Sequence, residues 1–181
     1  AGSSHLGFGP AATMTLDNGS TILGSWQWNG DFSLSFYSYG NNTNTINATL
    51  NLRNDAGANH SFNVDDGVSA TDLLISGNLA GSGSNVVKNN AGTMVLTGAN
   101  TYDVNTFVNN GALNVTSAGS LRFRPTTNGT TNSVSGSAIA SLSFLGTANL
   151  DLSAAVPTIG NSWNLFNLAS FTTPPVLTPS A

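Results

Sequence analysis

Apolar residues in this chain arrive in short bursts of period two, and the bursts recur about every 20 residues. No other feature limits the possible fold so sharply. Leu50 and Leu52 form one burst, followed by Phe62 and Val64, Leu73 and Ile75, Met94 and Leu96, and Leu113 and Val115. Leu121 and Phe123, Leu142 and Phe144, and Leu150 and Leu152 continue the series. Gly, Asn or Asp bounds almost every burst, as expected of half-buried strands ended by turns. Phe32 to Leu52 is a step of 20, Leu52 to Leu73 and Leu73 to Met94 are 21, and Met94 to Leu113 is 19. A recurring step of this size with drifting sequence predicts a solenoid, in which short strands stack coil upon coil. At about 20 residues per coil, the chain holds roughly 8–9 coils. Inward positions then build one apolar column, and Asn residues at the turns can hydrogen-bond along the stack. A β-sandwich also spaces strands every 8–12 residues and stays open as the alternative.

Composition agrees with an all-β fold. Asn, Ser, Thr and Gly number 25, 23, 21 and 20, close to half of the 181 residues, which favours turns over helix surfaces. Glu and Cys are absent, and Lys and Gln occur once each, so strong helix formers are scarce. Four basic residues (Arg53, Lys88, Arg122 and Arg124) cannot form the patch that phosphate backbones need, so nucleic acid is not an expected partner. No apolar run reaches the roughly 18 residues of a spanning helix, so membrane insertion is not expected either. Charged residues make up 7% of the chain, against about a quarter in an ordinary soluble domain. Such a surface repels its own copies weakly, which favours ordered self-association or anchorage.

Three regions follow. Residues 1–12 read as an extended leader, 13–171 as the solenoid, and 172–181 as a Pro-rich tail. Pro174, Pro175 and Pro179 bar that tail from a central strand.

Candidate sites are few. Asp65, Asp66 and Asp72 are the one acidic cluster, and Arg53 lies about one coil earlier. Such carboxylates could serve acid–base chemistry on a polysaccharide, but Asp-Asp-Gly is also ordinary turn chemistry. His5 and His60 are far apart, and His60 sits in a polar segment that reads as a turn. With no Cys and no Glu, neither a metal centre nor a cofactor is expected. Aromatic residues are densest at Trp26, Trp28, Phe32, Phe36, Tyr37 and Tyr39. Exposed, they would form an interface or a platform for stacking sugars; inward, they would pack or cap the first coils.

The segment from Lys88 to Val115 carries an ordered motif. It contains Lys88, then Gly92-Thr93, alternating residues through Leu96, and Gly98-Ala99-Asn100-Thr101-Tyr102. After a gap come Thr106-Phe107-Val108 and Gly111-Ala112-Leu113-Asn114-Val115. This pattern resembles the autotransporter-associated β-strand repeat, also called the passenger-associated transport repeat. Where that family has a Gly-rich turn after the Tyr, this chain has Asp103-Val104-Asn105. The resemblance implies a right-handed parallel β-helix, exported by bacteria and displayed at the cell surface or released. It implies no chemistry.

The expected function is therefore non-enzymatic. The chain is read as a structural subunit of an extracellular filament, stalk or surface layer, with copies of itself as the partner. Head-to-tail stacking through sheet edges and extended termini would join the subunits. An adhesin or glycan-binding passenger fragment, meeting host or matrix glycans, is the alternative. A polysaccharide-degrading β-helix is third.

Overall fold

The computed structural model describes residues 13–28, 35–52, 59–82, 85–171 and 176–180. The first six strands are β1 (Thr13–Asp17), β2 (Thr21–Trp28), β3 (Ser35–Tyr39), β4 (Asn44–Leu52), β5 (Asn59–Val64) and β6 (Leu73–Ile75). The next six are β7 (Leu79–Ala80), β8 (Asn85–Asn89), β9 (Thr93–Leu96), β10 (Thr106–Val108), β11 (Gly111–Val115) and β12 (Ser120–Phe123). Then come β13 (Val134–Gly136), β14 (Ala140–Phe144), β15 (Thr147–Asp151), β16 (Phe166–Asn167), β17 (Ser170–Phe171) and β18 (Val176–Ser180). No helix occurs among the described residues.

Every strand pairs in parallel with the strand one turn away, and the result is a β-solenoid. The first sheet runs β1-β3-β5-β8-β10-β13-β16, and the second runs β2-β4-β6-β9-β11-β14-β17, with β7 also on β4. A third sheet, β12-β15-β18, closes the last turns. The sandwich alternative is excluded by this pairing, because a sandwich is built from antiparallel sheets.

The coil length expected from sequence needs correction. A turn takes about 26 residues rather than 20, and the solenoid has about 5 turns rather than 8–9. The apolar step is true in the middle, where Leu73, Met94 and Leu113 pair in register. It fails on both sides. Leu50 pairs with Leu79, so Leu52 and Leu73 are not one turn apart, and Leu113 pairs with Leu142. Turns lengthen at corner segments such as 66–71, 126–133 and 152–164, which add length without adding inward apolar positions.

In-register stacking explains the core. In the second sheet, Ile22, Ile46, Ile75, Leu96, Val115 and Phe144 form one inward column. All six are buried. In the first sheet, His60, Val86, Thr106 and Val134 form another, also buried. His60 thus lies in a core strand, not in the polar turn its neighbours suggested. Phe166 tops that column and packs edge-on to Phe123 and Phe144, with ring centroids 5.2 and 5.5 Å away.

Glycine marks the corner after the second sheet. A Cβ on Gly77 would overlap the carbonyl of Ala48, one on Gly98 that of Gly77, and one on Gly146 that of Gly119. The backbones of successive turns approach too closely there for any side chain.

The Pro-rich tail joins the third sheet over 176–180. It supplies β18, on the outer side of β15, with Pro179 in register with Leu150. An edge strand tolerates Pro because its outward N–H has no ladder partner to lose.

Candidate functional site: the Lys88 turn and the sheet edges

Lys88 occupies an inward position, in register with Phe62 below and Val108 above. It is fully buried, yet it is the chain's one lysine. Its Nζ reaches the corner between the first and second sheets and donates to three backbone carbonyls. These are Asn89 at 3.0 Å, Asn90 at 2.6 Å and Asn110 at 2.9 Å. The ammonium therefore ties two successive turns together through charge-assisted bonds to half-buried carbonyls. Burial pushes its pKa down to about 8, opposed by the carboxylates of Asp72, Asp65 and Asp66.

Asp72 is buried in the same corner, and its two oxygens accept from the Gly67 amide at 2.9 Å and the Thr93 amide at 2.7 Å. Asp65 and Asp66 are exposed, and Asp65 accepts from the Asn90 side chain at 2.7 Å. The acidic cluster is thus split: Asp72 organises backbone, while its neighbours face solvent. Arg53 lies outside the described residues.

The remaining motif residues also hold turns or core. Gly92 donates to the Val64 carbonyl at 2.9 Å, and Thr101 to that of Leu79 at 2.9 Å. Asn100 is buried; its Oδ1 accepts from the Leu79 amide, and its Nδ2 donates to the carbonyls of Gly98 and Ser120. The Tyr102 hydroxyl lies 2.8 Å from Thr106 Oγ1, and burial pushes the phenol up to about 12. Leu96, Val108, Leu113 and Val115 are core, and Gly98 and Gly111 sit at tight corners.

Sequence reasoning anticipated Asn ladders but did not locate them. One runs Asn63, Asn89, Asn109 on the outer face of the first sheet. Asn89 Nδ2 donates to Asn63 at 3.0 Å, and Asn109 Nδ2 to Asn89 at 2.8 Å. Their spacings of 26 and 20 differ, so no fixed period could find them. Asn44 was missed altogether. It is buried, accepts from the Gly19 and Ser20 amides, and donates to Leu16 and Tyr39 carbonyls and the Ser38 hydroxyl.

A second charged group lies on the third sheet. Arg122 pairs with Asp151, and Arg124 donates to Asp103 at 3.2 Å. Bonds from Ser153 and then Arg122 hold the Asp151 carboxyl well below the usual carboxylate range. Among the described residues every cation is therefore engaged.

The aromatic residues do not share one face. Trp26 and Trp28 belong to β2 in the second sheet, in register with Leu50 and Leu52, and their side chains lie outside the described set. Phe36, Tyr37 and Tyr39 belong to β3 in the first sheet, and Phe32 lies outside the described residues. Tyr37 and Tyr39 are 40% and 42% exposed and point outward together. The side chain of Phe36 is likewise outside the described set.

The two ends of the solenoid differ. β1 and β2 begin the two main sheets with 5 and 8 residues, no Pro, and one charge, Asp17. β16 and β17 end them with two residues each, and β18 carries Pro179. No family model matches the chain, and no curated protein or solved structure matches it either. The likeness to the autotransporter-associated repeat accordingly stands on residues 88–115 alone.

Proposed function

We propose that this chain is a non-enzymatic structural subunit of an extracellular filament, stalk or surface layer, and that copies join head-to-tail through their sheet edges. The observation that carries this reading is the continuous parallel order of the two main sheets. A second copy placed above β16 and β17 would offer its own β1 and β2 with matching strand polarity. Such a contact is heterologous, and heterologous contacts that do not close make fibres. The low surface charge and the long, Pro-free strands of the first rung favour the same contact. Engagement of every described cation, either by buried carbonyls or by Asp, argues against a nucleic-acid partner.

Sedimentation and negative-stain electron microscopy across a concentration series test the proposal. Filaments of uniform width are expected. Thr15→Lys with Thr21→Lys places two cations on exposed positions of the first rung and should abolish them, while stability changes by no more than about 0.5 kcal/mol. Wild-type protein that stays monomeric at high concentration overturns the reading. Weight then moves to a glycan-binding passenger fragment, which the outward pair Tyr37 and Tyr39 favours and a glycan array would address.

A further inference from the structure

We propose that the Asn110–Gly111 peptide is a self-modification site, at which the turn cyclises to a succinimide and then opens to aspartate or isoaspartate. The amide nitrogen of Gly111 lies 2.7 Å from Asn110 Oδ1, so the side-chain amide is folded back against the atom that must attack it. That hydrogen bond is internal to the turn, so the Gly111 N–H is given to the side chain it would attack. Meanwhile the Asn110 carbonyl accepts from Lys88 Nζ at 2.9 Å. When the Gly111 nitrogen loses its proton, negative charge spreads onto that carbonyl oxygen. A buried ammonium placed there stabilises the charge as an oxyanion hole does. Proximity and charge stabilisation thus act on one peptide bond.

The step balances. The deprotonated Gly111 nitrogen forms a bond to Asn110 Cγ, the Cγ–Nδ2 bond breaks, and ammonia leaves carrying the proton. Water then adds to one of the two ring carbonyls. Opening at one bond leaves an ordinary aspartate in place of the asparagine; opening at the other routes the main chain through the former side chain as isoaspartate. No oxidant or reductant is needed, and water reaches the site because Asn110 and Gly111 are only half-buried.

Two other Asn–Gly pairs among the described residues lack this arrangement. At Asn18–Gly19, the Gly19 amide donates to Asn44 Oδ1 at 2.9 Å, and Asn18 Oδ1 accepts from Asn42 at 3.0 Å. At Asn128–Gly129, the Gly129 amide donates to the Ser162 carbonyl at 3.0 Å, and Asn128 Oδ1 accepts from the Ser162 amide at 2.9 Å. In both, nucleophile and electrophile are held apart by other partners. Asn29–Gly30 lies outside the described residues.

The experiment is a time course of the folded full chain, read by peptide mapping and isoaspartate detection. Asn110 should convert about tenfold faster than Asn18 or Asn128, a ratio equal to about 1.4 kcal/mol of barrier. In denaturant the three rates should converge. Asn110 that converts no faster than the other two in the folded chain overturns the proposal, as does an advantage that survives denaturation. The ratio of Asn110 to Asn18 should also fall as pH rises through about 8, where Lys88, faced by Asp72, Asp65 and Asp66, loses its charge. A flat ratio overturns the part given to Lys88.

Discussion

A lysine inside a solenoid core is costly to desolvate, and the carbonyl cage around Lys88 offsets only part of that cost. Linkage gives the consequence a sign. Lys88 titrates near 8 in the fold and near 10.5 when unfolded, so between those values the unfolded chain binds more protons. Stability therefore rises across that window, by up to about 3 kcal/mol. Tyr102 acts in the opposite sense. Its phenol titrates near 12 folded and 10.0 unfolded, so the unfolded chain sheds its proton first and stability falls above 10. Thermal melts should therefore peak near pH 10. Lys88→Met should remove the rise and Tyr102→Phe should weaken the fall. A melting temperature that drops steadily from pH 8 contradicts both assignments. The lysine and the tyrosine were legible as motif residues, but the cage was not. Two of its three carbonyls come from the turn beside Lys88, and the third belongs to Asn110, one turn later.

At the scale of elements, corner glycines set how closely turns stack. Gly98→Ala drives a Cβ into the Gly77 carbonyl, a backbone atom that cannot swing aside. A loss of about 2–3 kcal/mol is expected. Gly129 supplies the contrast: its φ is +77°, but a Cβ there meets nothing within 4 Å. Gly129→Ala should cost about 1 kcal/mol, from backbone conformation alone. Urea unfolding of the two variants checks the order, and equal losses would refute the close-packing account. Strand positions were readable from period-two bursts, since alternation reports which side is buried. Turn length was not. The step from Val86 to Thr106 is 20, but that from Val134 to Phe166 is 32. A loop can grow at a corner without disturbing the inward column, so apolar spacing does not record it.

For the whole molecule, each rung contacts only its neighbours, so stability is the sum of rung and interface terms. Among the described residues, central rungs have partners on both sides and end rungs have one. Amide hydrogen exchange should be slowest in β8, β9 and β11 and fastest in the two-residue strands β16 and β17. Uniform protection from one end to the other would mean that the solenoid opens as a single unit. The same asymmetry bears on assembly. Among the described residues β1 and β2 are nearly uncharged, whereas β16 and β17 have two residues each and β18 carries Pro179, so in the assembly we propose the first rung would be the stronger acceptor of an added strand.

Strand pattern alone settles an all-β fold with Asn-rich turns and favours a solenoid over a sandwich, because alternation, turn residues and the scarcity of helix formers are local properties. Whatever depends on pairing across turns, the parallel order of the sheets included, comes from the folded chain. It set the coil length, the inward place of His60, the split of the aromatic residues between two sheets, and the division of labour among Asp65, Asp66 and Asp72. The physical reason is register. A parallel rung brings together residues 19–32 positions apart, and the offset varies with every corner loop. Only the folded chain fixes which carbonyl, carboxylate or ring ends up above which.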